Sequence, residues 1–374
     1  MNSSGVLPGS VAIAGFGGYI GSKLAEAALK AGVRVYGFDP FALASQAPTG
    51  IEVVPSEEIF YSLCPSFYHL ALHPDARDSA QQLLFSRAAN EPMAILMEKP
   101  MAPPEDPQSV KLLIDTIEQS KALVLYDFPE LFDPLTAKIV EFLQKFKSVE
   151  FYTMTLVRSK DREEDTPRNR KKIVPIQFQE SVHCLAFFLY LVGKVQGSYH
   201  AAVKNGVSVQ ASSRAYEPPN PKDYQYVVDG RCDYEFQAGN ITVRGVTNFK
   251  RGAESAKQRI VHGVADGTPF CIEVDYFEGT KYLKINGVDQ QVARDSCSYT
   301  AVLSTFTTWQ EQVGREELHR GVYPHCHFAA LTYALSGMLW RSCAWRCEIE
   351  VGGVDELICF NSGFLAAKKG LPKY

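Results

Sequence analysis

No run of apolar residues in this chain is long enough to cross a bilayer. The longest uninterrupted one, residues 184–193, is about half of what a membrane-spanning helix needs, so no membrane association is expected. An excess of positive charge is missing too. The formal net charge of −4 offers no clustered lysine and arginine for a nucleic-acid backbone. The opening residues, MNSSGVLPGS, lack a basic start followed by an apolar run, so no signal peptide is expected and the cytoplasm is the expected location. No self-similarity recurs at a period of 20–50 residues, which excludes a solenoid.

Paired cysteines are absent as well. Nine cysteines stand at positions 64, 184, 232, 271, 297, 326, 343, 347 and 359; the number is odd and none forms a CxxC pair. Most lie in apolar runs, which reads as reduced, buried thiols. The nearest thing to a metal-ligand set is His325, Cys326 and His327, followed by Cys343 and Cys347. Thiolate and imidazole are the usual zinc ligands. However, His325 and His327 fall on different sides of an expected helix, and the two cysteines begin a separate element. No metal is expected.

What is present is a chain of 374 residues with 46% hydrophobic and 21% charged residues, a globular composition with room for two domains. The first third alternates short apolar runs with helical patterns, the signature of a parallel sheet covered by helices. Strands are expected at 11–15, 33–38, 51–54, 67–72, 93–98 and 122–126, and helices at 20–31, 76–89 and 106–120. Pro129 and Pro134 then punctuate the chain. Beyond about residue 147 the character changes. A strand at 149–157 leads into a charged loop, residues 158–172, expected as solvated surface. The lesser reading has that loop border a substrate entrance, with Arg168, Arg170, Lys171 and Lys172 selecting an acidic or phosphorylated sugar. A helix is expected at 179–192, β-rich segments at 224–228, 240–246, 259–263, 269–277 and 281–286, and helices at 299–314 and 322–341. Such a strand series suits a large, mostly antiparallel sheet in an α+β second domain.

Gly15-Phe16-Gly17-Gly18-Tyr19-Ile20-Gly21 follows the first strand and opens the first helix. Lacking Cβ atoms, such a turn can tighten and bring its backbone N–H groups close to a pyrophosphate, and the helix N-terminus adds favourable partial charge. The third glycine is displaced by one residue from the strict G-x-G-x-x-G spacing. Asp39 stands 24 residues after Gly15 at the end of the second strand, where a carboxylate can accept hydrogen bonds from an adenosine ribose. The order of elements predicts a Rossmann-type doubly wound domain that binds a dinucleotide. Asp39 would repel a 2′-phosphate and so favours NAD; NADP stays open, because the sequence does not place Arg34 and the other nearby cations.

Residues Met97-Glu98-Lys99-Pro100-Met101 follow a buried-looking strand, whose C-terminal end faces the ligand crevice of a doubly wound sheet. An ammonium there can hydrogen-bond a substrate hydroxyl and stabilise charge during hydride transfer. This element resembles the Glu-Lys-Pro element of the glucose-fructose oxidoreductase, inositol dehydrogenase and MocA family. The resemblance extends to Ala71-Leu72-His73-Pro74, similar to a family turn near the nicotinamide. It also takes in Tyr126-Asp127-Phe128 with Phe132 and Pro134, similar to the family's exit into its second domain. It implies a dinucleotide-binding domain over 1–127 and an α+β substrate-binding and oligomerisation domain over 128–374, built on a large, open, mostly antiparallel sheet. The cofactor contacts implied are Gly15, Gly17, Gly18, Tyr19, Ile20, Asp39, Leu72, His73, Glu98 and Lys99.

The family commonly carries a histidine on the first long helix of its second domain, with acids nearby, and His183 matches that position. Position 179 is Gln and position 186 is Ala, where the family has the acids, and Glu180 is the available substitute. The resemblance implies an oxidoreductase acting on a secondary alcohol or ketone of a sugar, cyclitol or related polyol. Lys99 would polarise the reacting oxygen, His183 would move its proton and Glu180 would assist, in a cleft between the domains of a homodimer or homotetramer. Two alternatives stand beside it. One is a non-enzymatic, dinucleotide-binding regulator of the same fold. The other is an extended short-chain dehydrogenase or epimerase, whose Tyr-x-x-x-Lys pair Tyr190 and Lys194 match; Gly193 is expected to end the helix and separate that pair.

Overall fold

The computed structural model describes residues 6–41, 47–160, 162, 174–216, 229–249, 257–291 and 297–360. The chain divides into two compact units, residues 1–133 with 296–329, and residues 134–295 with 330–374.

In the first unit, β1 (Ser10–Ala14), β2 (Arg34–Phe38), β3 (Ile51–Val53), β4 (Phe67–Leu70), β5 (Met93–Glu98) and β6 (Ala122–Asp127) form one sheet in the order β3-β2-β1-β4-β5-β6. All five pairings are parallel. The order reverses between β1 and β4, the point at which ligands bind in open α/β sheets. The central strands are apolar throughout because helices cover both faces: Val11, Ala12 and Ile13 are fully buried.

Helix α1 (Tyr19–Lys30) buries Gly21, Leu24, Ala25, Ala27 and Ala28 along one stripe, while Lys30 pairs with Glu26 at 2.8 Å on the other. Helix α2 (Glu57–Ser62) is capped by the Ser56 side chain, which accepts from Ile59 N–H. Helices α3 (Asp78–Ala88) and α4 (Gln108–Glu118) complete the crossovers, and α5 (Pro129–Phe132) follows β6.

Residues 296–329 return to this unit, a departure from the linear boundary at 127/128. The reason is apolar and aromatic packing. Helix α8, Ser298–Gln312, sets Phe306 edge-on against Phe67 with 4.7 Å between centroids, and Trp309 lies 4.8 Å from Phe132. The short α9 (Arg315–Arg320) follows.

In the second unit, α6 (Pro134–Leu143) precedes β7 (Val149–Ser159), and α7 (Val182–Gln196) precedes β8 (Val207–Ala215), β9 (Asp229–Ala238), β10 (Ile241–Asn248), β11 (Gln258–Ala265), β12 (Thr268–Asp275), β13 (Tyr282–Ile285) and β14 (Val288–Asp289). With β15 (Ile349–Val351) they form a nine-stranded sheet in the order β14-β13-β12-β11-β7-β10-β9-β8-β15. Among the described strands only the β7–β10 pair is parallel, and the sheet is open and mostly antiparallel, as expected.

Its strands alternate buried and exposed side chains, which leaves one face for helices and the other for solvent. Helix α7 is buried continuously from Val182 to Gly193 and therefore reads as core on all sides. Helix α10 (Cys326–Trp345) and the short α11 (Val354–Phe360) close the chain described. No described helix is long and apolar enough to cross a membrane.

Candidate dinucleotide site and catalytic residues

The turn after β1 is built by glycines for two separate reasons. Gly15 has φ +79°, in the left-handed region, and its N–H donates to Phe38 O at 2.7 Å. A Cβ on Gly15 would also come within 2.8 Å of Ala71 O, so the turn lies directly against the end of β4 and against Leu72. Gly21 is needed for approach rather than conformation. A Cβ there would stand 2.2 Å from Gly15 O, so only glycine lets α1 begin this close to the strand. The displaced third glycine thus performs the helix-to-strand packing that the strict spacing assigns to its own third position.

Gly18 caps α1 without a side-chain acceptor, and the first turn holds no acidic residue. The positive dipole end of the helix is therefore neither capped by a side chain at position 18 nor neutralised by an acid of its own first turn. Tyr19 is 41% exposed beside them, and Ile20 is half-buried. Asp39 closes the site from β2: Gly17 N–H donates to its Oδ2 at 3.1 Å and Phe41 N–H to its Oδ1 at 2.9 Å. Gly15, Gly17, Gly18, Tyr19, Asp39 and Leu72 are thereby brought together. Arg34 stands at the start of β2, where Glu52 holds it through two hydrogen bonds of 2.6 and 2.8 Å. It is neutralised at the strand end opposite to Asp39.

The ends of β4 and β5 are tied together by Arg77, which the sequence reading missed. It is 1% exposed, donating from Nε to Leu72 O at 3.0 Å and from Nη1 to Pro100 O at 2.7 Å. Burial lowers its pKa to about 10, so it stays charged at neutral pH. This one side chain sets the loop carrying Leu72 and His73 against the loop carrying Lys99. His73 is half-buried and its Nδ1 accepts from Asp75 N–H at 3.4 Å. Lys99 is half-buried at the strand end.

Glu98 turns inward and is nearly buried, with His69 Nε2 3.3 Å from its Oε1. Burial pushes the Glu98 carboxyl up, but the hydrogen bond and charge of His69, with Lys99 and Arg77, hold it below the usual carboxylate range. Beside it, burial and the Glu98 and Glu130 carboxylates push Asp127 well above that range.

In the second unit His183 lies on the first turn of α7 and is 4% exposed. The turn before it, Gln177–Ser181, is π-helical, and its side chains reach the sheet. Gln177 Nε2 donates to Asp229 Oδ2 at 2.8 Å, and Ser181 shares a 2.7 Å hydrogen bond with Thr247. Burial raises the Asp229 carboxyl above its ordinary range.

Glu180 is fully buried, 2.6 Å from Arg158 Nε and 3.7 Å from Lys160 Nζ. Its charge is thus committed to an ion pair with β7. Arg158, expected in a solvated loop, is itself 6% exposed because β7 runs on to Ser159 and carries it into the core. Arg168, Arg170, Lys171, Lys172 and the segment 224–228 lie outside the described residues.

One further expectation changes. Gly193 does not end α7, which continues to Gln196 and stops at Gly197 in the left-handed conformation, φ +78°. Lys194 therefore stays on the helix with Tyr190 and stacks over its ring at 5.3 Å. Three of the residues considered for zinc have other partners. His327 Nε2 is 2.7 Å from Glu118, His325 Nε2 is 3.1 Å from Gly321 O, and Cys343 Sγ is 3.8 Å from Cys232 Sγ.

No protein-family profile and no curated protein matches the sequence. Solved structures match over nearly the whole chain. One is a putative myo-inositol dehydrogenase from Sinorhizobium meliloti, at 15% identity and TM-score 0.67, covering 91% of this chain and 98% of that one. An oxidoreductase from Agrobacterium radiobacter, solved with NAD+, L-tartaric acid and magnesium, is similar at 13% identity and TM-score 0.65, over 92% and 98% of the two chains. A super-repressor mutant of Gal80p from Saccharomyces cerevisiae is similar at 10% identity and TM-score 0.67, over 94% and 99%. Sheet order, second-unit topology and these likenesses agree: the chain has the fold of the glucose-fructose oxidoreductase, inositol dehydrogenase and MocA proteins.

Proposed function

We propose that this protein is an NAD-dependent oxidoreductase acting on a secondary alcohol or ketone of a sugar, cyclitol or related polyol. The observation that carries the cofactor assignment is the hydrogen bond from Gly17 N–H to Asp39 beside the glycine-capped N-terminus of α1. The residues present fit a dinucleotide. The α1 N-terminus and the Gly15–Gly18 backbone suit a pyrophosphate, and Asp39 suits an unphosphorylated ribose. When bound, the nicotinamide supplies the acceptor or donor of hydride.

The chain's own residues supply the rest. Lys99 donates a hydrogen bond to the reacting oxygen and stabilises the negative charge that builds there as the C–H bond breaks. His183 takes the hydroxyl proton in the oxidative direction and returns it in the reverse. Glu180 acts differently from a free carboxylate. Paired with Arg158, it anchors the π-helical turn that presents His183. Tyr19, Ile20, Leu72, His73 and Glu98 complete the cofactor contacts in this reading, the second unit provides the oligomer surface, and the location is the cytoplasm.

A second reading has one observation in its favour. Gln179 and Ala186 stand where the family pattern has acids, Glu180 pairs with Arg158, and the same fold occurs in Gal80p, described as a transcriptional regulator. The two readings separate on turnover. Lys99→Ala should lower kcat by about 10²-fold or more on whichever polyol of a panel is turned over, with NADH affinity within about threefold. Undiminished activity in that variant removes Lys99 from the mechanism. NADH binding without turnover of any panel member favours the regulator.

A further inference from the structure

Neighbouring strand ends converge on one buried side-chain cluster in the first unit. Glu98 and Asp127 are the last residues of β5 and β6 and stand directly opposite each other in the parallel register. His69 on β4 pairs with Leu96, two residues before Glu98. Side chains alternate faces with a period of two, so His69, Glu98 and Asp127 all point to the same side of the sheet. Their burial is nearly complete, with relative exposures of 0%, 7% and 1%.

His69 Nε2 lies 3.3 Å from Glu98 Oε1 and 4.0 Å from Asp127 Oδ2, and the three donor atoms fall within 4.8 Å of one another. Neither oxygen of Asp127 and not the Nδ1 of His69 has a hydrogen-bond partner. Buried polar atoms are nearly always satisfied, and a carboxylate with both oxygens unmatched calls for a cation or a proton.

We propose that His69, Glu98 and Asp127 form a binding site for one divalent transition-metal ion, of the zinc or cobalt type. A shared proton would satisfy only the contact between the two carboxyl groups. A metal ion takes one donor from each of the three side chains. One imidazole with two carboxylates is a nitrogen–oxygen donor set, suited to zinc, cobalt or manganese rather than to calcium or magnesium, which prefer oxygen alone. At bond lengths of about 2.0–2.1 Å, the edge of a coordination tetrahedron is about 3.4 Å, close to the observed His69–Glu98 separation. The cationic neighbours do not prevent this, because Lys99 and Arg77 act on Glu98, Lys99 also acts on Asp127, and Glu130 adds a third carboxylate beside Asp127. An ion there would pin the strand ends beneath Lys99. The inference uses side chains of the first unit alone and does not depend on the proposed activity.

The test is direct. The full-length protein is stripped with a chelator, desalted, titrated with cobalt(II) chloride or zinc(II) chloride, and desalted again. Bound metal is then counted by mass spectrometry, and cobalt is followed by its visible d–d absorption. The expected result is about one ion per chain, with affinity falling at least tenfold in His69→Ala and in Asp127→Asn while far-ultraviolet dichroism is unchanged. If Asp127→Asn does not fold, Glu98→Gln replaces it. A folded wild-type protein that retains no metal overturns the proposal. So do variants that bind as tightly as wild type, because the ions would then sit elsewhere, on exposed groups such as Cys64 or Cys347.

Discussion

Replacing Gly21 with alanine tests the architecture of the nucleotide turn, because two effects of opposite sign compete. In an ordinary helix the change would stabilise by about 0.5–1 kcal/mol, since alanine loses less backbone entropy. Here the new Cβ would lie 2.2 Å from Gly15 O and 2.9 Å from the Gly15 carbonyl carbon and Phe16 Cα. All three are backbone atoms, so no rotamer relieves the clash, and the start of α1 must move outward by about 1 Å. Overpacking of this kind costs about 1–3 kcal/mol and occasionally more. The clash should win by about 1 kcal/mol, a fall of about 2–4 °C in the transition of the first unit. The same shift separates Gly17 N–H from Asp39, so the Kd for NADH should rise tenfold or more. Thermal scanning and calorimetric titration read the two effects. A Gly21→Ala protein at least as stable as wild type, with unchanged NADH affinity, would refute the reasoning.

Other outcomes follow from individual partners. Asp39→Ser should weaken NADH about tenfold, roughly the loss of one charge-assisted hydrogen bond, and should narrow the preference over NADPH. An unchanged NADH/NADPH ratio would mean that Asp39 does not contact the ribose. Arg158→Met removes the 2.6 Å partner of the fully buried Glu180 and should destabilise the second unit by about 3 kcal/mol. Adding Glu180→Gln should recover at least half of that in chemical denaturation, and strictly additive losses would show that the two side chains are not coupled.

The first six strands were legible because each is a short apolar run bounded by turn residues, and their order follows from the βαβ pattern. The glycine turn and Asp39 were legible for the same reason, as their chemistry is local. Pro129 and Pro134 were read as punctuation, whereas each opens a helix, a position where proline's fixed φ is favourable. Strands β8 and β9 were missed because their exposed faces are polar. Ser208, Gln210 and Ser212, like Glu235 and Gln237, dilute the apolar signal to half the residues.

What could not be read from sequence depends on register and long-range packing. Nothing local places His69 level with Glu98 and Asp127, sends Arg77 to both Leu72 and Pro100, or turns Glu180 toward Arg158. The return of α8 to the first unit is of the same kind. It depends on Phe306 and Trp309 finding Phe67 and Phe132 far back in the chain.

The central claim is that the turn after β1, closed by Asp39, holds NAD. Calorimetric titration of the purified chain with NADH and with NADPH tests it most directly. The account predicts one NADH site per chain and at least tenfold weaker binding of NADPH; a chain that binds neither, or that binds NADPH more tightly, contradicts it.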